Sequence, residues 1–296
     1  MDTYEFVKLE NFSLREYNTM RLPVYADIVY MPYTKDGVKR AIEDNEGRRF
    51  LVLGNGSNTI FSNLYCHKPI INTCLMKRIR IDGDCIIAES GVTLSEVAWF
   101  ALEKSLGGFE YLEDIPGSLG GALFMNAGTY EDYIGKQVQS VTVYDYKDKE
   151  VRVLDKKLLS NHWGKRTSFF QNNSCFIIEC SIKGTGNKEY VDILDDMLKI
   201  KRRRYLKQPR NYPSAGSVFK RPDTIGNKQL YVWKLLDESG LRGFRIGGAQ
   251  VSCKHPGFII NVGSATGEDV VSLMNYCKEV VNNKYGINLE EEWNIV

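Results

Sequence analysis

Two glycine-rich segments carry the residues of this 296-residue chain best suited to hold a phosphorylated ligand. Glycine lets backbone N–H groups approach a ligand and point at it together, which makes a cradle for phosphate oxygens. A single segment of this kind is typical of a tight turn. Two such segments in one domain fit the paired phosphates of a dinucleotide better than a single phosphate. The first is Gly54, Asn55, Gly56, Ser57 and Asn58, and the second is Ile115, Pro116, Gly117, Ser118, Leu119, Gly120 and Gly121.

The residues around these segments exclude the commoner nucleotide-binding motifs. A Rossmann G-x-G-x-x-G would require glycine where Thr59 stands, and the residues after Asn58 do not predict a helix. No G-x-x-x-x-G-K-[ST] P-loop occurs, and no G-x-S-x-G nucleophile elbow occurs. If a dinucleotide binds here, we expect it to bind in a different fold.

The composition is typical of a globular protein and argues against several functional classes. Hydrophobic residues make up 43% of the chain, and a formal net charge of +2 is too small to predict nucleic-acid binding. No run approaches the roughly 18 apolar residues of a membrane span, and the acidic N-terminus lacks the apolar core of a secretion signal. The seven cysteines and three histidines are dispersed without C-x-x-C spacing. We therefore expect reduced thiols in a cytoplasmic protein without a metal site.

The first two thirds of the chain predict short strands and helices around the glycine-rich segments. Residues 49–53 form an apolar run of strand formers that stops at Gly54. After a strand over 85–88, Thr93 and Glu96 form a capping box that opens a helix ending at the glycines 107–108. A glycine-rich loop is expected over 114–128, and strands over 138–146 and 175–182. The buried face of the capped helix is expected to contain Leu94, Val97, Ala98, Ala101 and Leu102.

The pattern changes near residue 189. A helix over 189–206 ends in a cluster of cations, which suits the partial negative charge of a helix C-terminus. Residues 208–213 contain two prolines, cannot continue that helix and predict a linker. Beyond it we expect a helix over 229–238, a strand over 258–262, a helix over 268–285 and a final strand over 289–296. Because strands and helices mix without regular βαβ alternation, we predict an α+β fold.

Nine short motifs follow one another along the chain. Each alone is a weak signal, but nine in one order are specific, and they span about residues 10–296. The chain resembles the UDP-N-acetylenolpyruvoylglucosamine reductases (UDP-N-acetylmuramate dehydrogenases), in the short form without the tyrosine loop that covers the substrate. The motifs are Asn18-Thr-Met-Arg21, Leu53-Gly-Asn-Gly-Ser-Asn58, Ile115-Pro-Gly-Ser-Leu-Gly-Gly-Ala122, Met125-Asn-Ala-Gly-Thr-Tyr130, Arg166-Thr-Ser-Phe169, Ala215-Gly-Ser-Val-Phe219, Gly247-Gly-Ala-Gln-Val-Ser252, Lys254-His255 with Phe258-Ile-Ile-Asn261, and Leu289-Glu-Glu-Glu292.

The resemblance implies an FAD-binding fold of the vanillyl-alcohol-oxidase type in two subdomains, followed by an α+β substrate-binding domain. We place these parts at residues 1–72, 73–206 and 207–296, with the option that the last strand packs back towards the flavin. FAD is expected to be bound non-covalently by the two glycine-rich segments together with Asn126 and Gly128. His67, the histidine near the first segment, matches no motif for covalent flavin attachment.

The resemblance also implies a reaction. NADPH reduces the flavin and leaves, and hydride then passes from flavin N5 to the enolpyruvyl CH2 carbon of UDP-N-acetylglucosamine-enolpyruvate. Such chemistry needs groups that stabilise a carboxylate turning into an enolate, and a proton donor near the adjacent carbon. The family assigns proton donation to Ser217 and pairing with the substrate carboxylate to Arg166, while Glu292 works with Arg166 on the enolate. Without the resemblance, these would be a turn hydroxyl, a surface cation and part of a solvated acidic face.

The remaining expectations concern the substrate and partners. Lys207, Lys220 and Arg221 lie near Ser217 in sequence and are candidates to bind the diphosphate of the substrate. The expected partners are NADPH and the UDP-sugar. We expect a monomer that makes UDP-N-acetylmuramate for peptidoglycan.

Five positions depart from the family pattern, namely Asn63, Asp114, Glu131, Lys165 and Pro256. Lys165 precedes Arg166 where tyrosine is usual, so a related enolpyruvyl or UDP-sugar substrate stays open. One alternative is therefore another FAD oxidoreductase of the same fold with a different substrate. A second is a flavin- or nucleotide-sugar-binding protein without turnover, against which the presence of all three catalytic positions argues.

Overall fold

The structure, a computed structural model, describes residues 5–129, 132–222 and 229–296. Strands and helices are mixed along the chain, as the α+β prediction requires. The helices are α1 (Lys35–Glu43), α2 (Leu94–Glu103), α3 (Leu119–Met125), α4 (Lys156–Leu159), α5 (Tyr190–Lys207), α6 (Val232–Glu238) and α7 (Gly267–Tyr285). The strands are β1 (Phe6–Ser13), β2 (Tyr25–Pro32), β3 (Leu51–Leu53), β4 (Thr59–Ile60), β5 (Tyr65–Cys66), β6 (Ile70–Asn72), β7 (Ile79–Asp82), β8 (Cys85–Glu89), β9 (Leu106–Gly107), β10 (Val138–Asp145), β11 (Glu150–Asp155), β12 (Cys175–Lys183), β13 (Gly186–Asn187), β14 (Arg245–Ile246), β15 (Ala249–Val251), β16 (Ile259–Asn261) and β17 (Asn294–Ile295).

The chain divides into two compact units, each assembled from separate stretches of sequence. Unit 1 contains residues 1–9, 28–55 and 68–203, and unit 2 contains residues 10–27, 56–67 and 204–296. The chain leaves unit 1 after Asn55, in the middle of the first glycine-rich segment. The three-part division at 72/73 and 206/207 stays a prediction.

Unit 1 contains an antiparallel sheet in the order β11-β10-β12-β8-β7. In the same unit, β6 pairs in parallel with β3 and with residues Val29 and Tyr30 of β2. The helices α2 and α3 contribute buried side chains to a core shared with β8, β10 and β12, because their apolar residues recur on one face. This core includes Ile86, Val97, Leu119, Leu123, Val141 and Ile177.

The capped helix of the sequence analysis is confirmed at its start. Thr93 accepts from the backbone of Glu96, whose side chain accepts in turn from Thr93, and all five predicted apolar residues are buried. Its end differs from the prediction. The helix ends at Glu103, and the expected terminal glycine Gly107 lies instead in the short strand β9.

The prediction of an uninterrupted loop over 114–128 was wrong, because α3 lies inside it. Two glycines in its first turn each disfavour a helix by about 1 kcal/mol relative to alanine. Ser118 offsets part of that cost by capping the helix, since its side chain accepts from the N–H of Gly121. Leu119 and Leu123 are fully buried, and this packing favours the helix over the loop that local composition predicts.

Unit 2 contains the antiparallel sheet β14-β15-β16, against which α7 packs. The short strands β4 and β17 pair in parallel, with Asn294 opposite Thr59. Helix α7 confirms the prediction over 268–285, whereas α6 begins at Val232, later than expected. The predicted final strand over 289–296 was too long. Only Asn294–Ile295 forms a strand, and Glu291 makes an isolated bridge to Phe219.

Within the described ranges, no helix has both the length and the apolar character needed to cross a membrane. The same part of the chain contains no group of three or more histidine, cysteine or acidic residues arranged to hold a metal ion. Its cysteines are all free thiols.

Candidate cofactor and active site

Gly56 is the position of the first glycine-rich segment at which the backbone conformation and close packing require glycine. Its φ is +60°, and a Cβ there would lie 2.4 Å from the carbonyl oxygen of Tyr17 and 2.8 Å from Cα of Asn18. The backbone N–H and the side-chain hydroxyl of Thr19 both donate to the Gly56 carbonyl, at 3.3 Å. The motif that begins at Asn18 therefore fixes the backbone of the glycine segment within unit 2.

The backbone N–H groups of residues 55–58 are available to a ligand. Across the parts of the chain that the structure describes, no residue accepts a hydrogen bond from any of these four groups. Gly56 is nevertheless buried. A backbone donor that is withdrawn from water is normally paired, so the unpaired N–H of buried Gly56 indicates an acceptor that comes from outside the protein. Phosphate oxygens meet that requirement.

The second glycine-rich segment contacts Gly54 within unit 1. A Cβ on Gly54 would lie 2.2 Å from the hydroxyl oxygen of Ser118, so bare main chain and this hydroxyl share one small space. The next two N–H groups along α3 are already paired, since Leu119 donates to Val92 O at 2.7 Å and Gly120 donates to Ser90 O at 2.8 Å. What this segment offers a ligand is therefore the Ser118 hydroxyl rather than the first N–H groups of the helix.

Backbone conformation and close packing explain the residue types at other positions in and just before this segment. Gly117 has a φ of +139°, and a Cβ on Gly120 would lie 2.8 Å from Cβ of Ser90. The N–H of Asp114, itself at a φ of +64°, donates to the hydroxyl of Ser95. Ile115 and Pro116 complete the turn into α3. Their predicted contacts with the cofactor stay a prediction.

The features of each segment suit a dinucleotide such as FAD. A dinucleotide presents several phosphate oxygens, all acceptors, and the segments provide unpaired N–H groups, a hydroxyl and main chain bare of side chains. They provide no cation of their own. Backbone dipoles, not ion pairs, would hold the phosphates.

Asn126 and Gly128, also predicted to bind the cofactor, are engaged within unit 1. Asn126 is 3% exposed and ends α3 in the left-handed conformation. Its side-chain nitrogen donates to Gly164 O at 2.7 Å, and its side-chain oxygen accepts from the N–H of Gly135 at 3.1 Å. A Cβ on Gly128 would lie 2.2 Å from Asp132 O. The neighbouring Tyr130 and Glu131 lie outside the described residues.

Arg166 lies in unit 1, on a tight turn attached to the C-terminal end of α3. Gly164 and Thr167 exchange backbone hydrogen bonds at 3.1 and 3.2 Å around Lys165 and Arg166. Arg166 is half-buried and has a φ of +61°, which is uncommon for a residue with a side chain. The hydroxyl of Ser168 donates to Phe124 O at 2.7 Å, and this bond ties the turn to the helix.

The segments that carry Ser217 and Glu292 lie side by side in unit 2. The segment after Gly216 and the segment before Trp293 run antiparallel, with Phe219 bridged to Glu291. The N–H of Glu292 donates to Val218 O at 2.9 Å. Ser217 is exposed and Glu292 is half-buried. The two segments are far apart in sequence, and the bridge between Phe219 and Glu291 joins them.

Two side chains hold this pair of segments in place. The indole nitrogen of Trp293, a residue that is 5% exposed, donates to Ala215 O at 2.7 Å. The side-chain nitrogen of Asn58 donates to Glu292 O at 2.9 Å. The backbone of Asn58 also accepts from the N–H of Asn294, at 2.9 Å. The first glycine-rich segment is thus bonded directly to the segment that carries Glu292.

The three consecutive acids 290–292 differ in their partners. The carboxylate of Glu291 accepts a hydrogen bond from Lys278 at 2.6 Å, and that bond lowers the pKa of Glu291 below its usual value although burial opposes the change. Glu290 is exposed and lies 3.4 Å from the ammonium of Lys220. Glu291 therefore has a structural role, and Glu292 is the acid whose backbone joins the Ser217 segment.

The three cations predicted to bind the substrate diphosphate all belong to unit 2. Lys207 is the last residue of α5 and is exposed. Lys220 follows the Ser217 segment and is close to Glu290, so part of its charge is already balanced. Arg221 lies over the ring of Tyr231, 5.1 Å from its centre. Their contacts with a substrate stay a prediction.

Sequence reasoning missed the residues that position the site. Thr19 was part of a quoted motif without an assigned role, and Trp293 was not singled out. Asn58 and Asn126 were predicted to bind the cofactor, and the hydrogen bonds that their side-chain amides donate to backbone carbonyls were not foreseen. The signal for Thr19 was present in its motif, but its partner lies 37 residues away and only the fold reveals it.

Comparison with known protein families finds two matching models. The FAD binding domain matches residues 26–154, and the C-terminal domain of UDP-N-acetylenolpyruvoylglucosamine reductase matches residues 208–296. A solved structure, the UDP-N-acetylenolpyruvylglucosamine reductase of Thermus caldophilus, superposes with a TM-score of 0.79 at 27% sequence identity, covering 98% of each chain. These matches confirm the predicted fold class, an FAD-binding α+β fold with a further C-terminal domain.

Curated relatives with the same name match this chain over nearly their whole length. The UDP-N-acetylenolpyruvoylglucosamine reductase of Clostridium tetani is 36% identical over 285 residues, which are 95% of this chain and 90% of the relative. That of Clostridium botulinum is 37% identical over 285 residues, with 96% and 90% covered. That of Caldanaerobacter subterraneus is 36% identical over 289 residues, with 97% and 92% covered. With identity of this degree over 95% or more of its length, the chain belongs to the UDP-N-acetylenolpyruvoylglucosamine reductase family.

Proposed function

We propose that this protein is an NADPH-dependent flavoenzyme that reduces UDP-N-acetylglucosamine-enolpyruvate to UDP-N-acetylmuramate in the synthesis of peptidoglycan precursors. Membership of the reductase family supports the reaction, and the match to the FAD binding domain supports the cofactor. The observation that carries the proposal is the antiparallel contact between the segment that carries Ser217 and the segment that carries Glu292, with the side chain of Asn58 bonded to the Glu292 carbonyl.

FAD would be held non-covalently by the N–H groups of residues 55–58 and by the hydroxyl of Ser118. When bound, FAD accepts electrons from NADPH and supplies hydride to the enolpyruvyl group. The chain itself has to bind the substrate, orient it and deliver a proton. Each of the three predicted catalytic residues has a part in that work.

Arg166 would bind the substrate carboxylate. Its guanidinium stays charged at any physiological pH and offers two parallel donors to a carboxylate. Charge on that carboxylate grows as the group takes enolate character, so the same contact strengthens along the reaction. The turn between Gly164 and Thr167 limits the motion of the residue, which helps to place the two donors.

Ser217 would donate the proton from its hydroxyl to the carbon next to the one that receives hydride. A serine hydroxyl is a weak acid in water, so this role requires a polarising environment. Glu292, on the adjoining segment, would act with Arg166 on the enolate as it develops. The exposure of Ser217 in the protein alone leaves its hydroxyl accessible to a substrate.

Lys207, Lys220 and Arg221 would bind the diphosphate of the UDP-sugar. All three lie in unit 2, and two of them directly follow the Ser217 segment. We further propose that the protein works in the cytoplasm as a monomer. Size-exclusion chromatography with light scattering tests the monomer, and a mass twice that of the chain would contradict it.

The experiment that tests the proposed function is a coupled assay of purified, yellow protein. NADPH oxidation should require UDP-N-acetylglucosamine-enolpyruvate, and mass spectrometry should find UDP-N-acetylmuramate as the product. The alternative that Lys165 keeps open is the same fold with another substrate. A flavoprotein that consumes NADPH with a different enolpyruvyl or UDP-sugar acceptor, and ignores this one, would favour that alternative.

Two helix-capping residues of unit 1 provide a paired prediction for the cofactor site. Ser118→Ala and Thr93→Ala each remove an N-cap and should lower the stability of the apoprotein by about 1 kcal/mol. Only Ser118→Ala should also weaken FAD binding, by roughly tenfold, because only its hydroxyl shares the space beside Gly54. Thermal unfolding and fluorescence titration of the apoprotein with FAD measure both effects. Equal FAD affinities in the two variants would remove Ser118 from the cofactor site.

A further inference from the structure

Asn58 is placed in the first glycine-rich segment, yet its side chain is directed to the protein. The amide nitrogen donates to the carbonyl of Glu292 at 2.9 Å, across 234 residues of sequence. The N–H of Glu292 donates to Val218 O, so the backbone of Glu292 is held on both sides. All of these residues belong to unit 2. The side-chain amide of Asn58 therefore links the predicted cofactor-binding segment to the segment that carries the predicted catalytic acid Glu292.

Asn126 makes the corresponding bond in unit 1. Its amide nitrogen donates at 2.7 Å to the carbonyl of Gly164, two residues before Arg166. Its amide oxygen accepts from Gly135, which fixes the orientation of the side chain. Asn126 is 3% exposed, so the amide that makes these two bonds is withdrawn from solvent. This asparagine holds the turn that carries Arg166.

We propose that Asn58 and Asn126 are positioning residues, each holding the segment of one predicted catalytic residue against the end of a predicted cofactor-binding element. The proposal rests on the proposed function for the roles of Glu292 and Arg166. A reacting group has to be held to within a fraction of an ångström, and a displacement of about 1 Å can cost roughly a hundredfold in rate. A single hydrogen bond to the backbone of a short segment is a direct way to prevent such a displacement.

The sharpest variants are Asn58→Asp and Asn126→Asp, which keep the size of the side chain and remove the donor. Aspartate tolerates the left-handed backbone of position 126 and can still accept from Gly135. The carboxylate of each variant would face the carbonyl oxygen that the amide bonded. The matched control is Asn63→Asp in unit 2, because Asn63 is exposed and its amide bonds only to the neighbouring Ser62 within the described residues.

The first measurement follows the two half-reactions separately, without oxygen and with enough FAD to saturate each variant. Reduction by NADPH should stay within about twofold of the unaltered protein. Reoxidation by UDP-N-acetylglucosamine-enolpyruvate should slow at least about tenfold in both asparagine variants and stay unchanged in Asn63→Asp. An equal fall in both half-reactions, or a loss of FAD affinity alone, would show that these side chains serve the cofactor and would overturn the proposal.

The second measurement is hydrogen–deuterium exchange of the apoprotein, which does not depend on activity. Asn58→Asp should speed exchange in the peptide that contains Glu292 and leave the turn of Arg166 unchanged. Asn126→Asp should do the reverse. Exchange that rises nowhere in the bonded segment, or everywhere, would refute local positioning. If the unaltered protein ignores the UDP-sugar, the proposed function fails, and the exchange pattern still decides whether the two asparagines hold these segments.

Discussion

Ser217→Ala is expected to leave reduction of the bound flavin by NADPH intact and to slow its reoxidation by UDP-N-acetylglucosamine-enolpyruvate by about a hundred- to ten-thousand-fold, the range of a lost proton donor. The proton is needed only in the second half-reaction, after hydride has reached the substrate. Because the exposed hydroxyl carries no structural hydrogen bond within the described residues, the variant should fold normally. Rapid-mixing absorbance of the flavin measures each half-reaction separately.

Ser214→Ala is the matched control for this prediction. Ser214 lies three residues earlier and makes a backbone bridge to Ile260, which alanine retains. The control should react like the unaltered protein in both half-reactions. If Ser217→Ala slows reduction and reoxidation to the same extent, Ser217 affects the cofactor rather than the proton, and the assignment is wrong.

Gly56→Ala is expected to abolish FAD binding and to lower the stability of the apoprotein by about 3 kcal/mol or more. The new Cβ would lie 2.4 Å from one backbone oxygen, that of Tyr17, and 2.8 Å from Cα of Asn18. Neither atom belongs to a flexible side chain, so the segment itself has to move. Movement of Gly56 redirects the neighbouring unpaired N–H groups on which the phosphates depend. Flavin content after purification and thermal unfolding test the two effects.

Gly83→Ala is the control that distinguishes the effect of close packing at Gly56 from the effect of backbone strain alone. Gly83 has a φ of +59°, against +60° at Gly56, but a Cβ there meets nothing within 4 Å. The control should therefore cost only the strain of the left-handed conformation, about 1–2 kcal/mol, and should keep its flavin. Normal flavin content in Gly56→Ala would mean that this segment does not form the phosphate cradle.

The parts of the fold that local sequence determines were predictable. Thr93 and Glu96 form the expected capping box, because both partners lie within four residues of chain. The long helix α7 begins and ends within a residue of its prediction, since Thr266 caps it and Gly286 ends it in the left-handed conformation. Such signals act within one turn of helix and require no knowledge of the rest of the chain.

The parts that tertiary packing determines were not predictable. Helix α3 has two glycines that favour a loop, and burial of Leu119 and Leu123 outweighs them. The final strand was overestimated because the residues before Trp293 join the Ser217 segment by an isolated bridge at Glu291 and not by a strand. Pairing of segments 70 or more residues apart has no local signal.

The candidate site shows the same division. The glycine-rich segments could be read as ligand-binding from composition, and the resemblance supplied the roles predicted for Arg166, Ser217 and Glu292. Neither source reveals that Asn58 and Asn126 donate to the segments of the acid and the arginine. Asparagine in a glycine-rich motif is equally typical of a ligand contact and of a turn, and only its hydrogen-bond partner distinguishes them.

The measurement that tests the central claim most directly is a single turnover without oxygen. The holoprotein is reduced with one equivalent of NADPH, and UDP-N-acetylglucosamine-enolpyruvate is then added while flavin absorbance is followed. The proposed function predicts that the oxidised flavin spectrum returns and that one UDP-N-acetylmuramate forms for each flavin. A reduced flavin that persists in the presence of this substrate, and reoxidises only when oxygen is admitted, would contradict it.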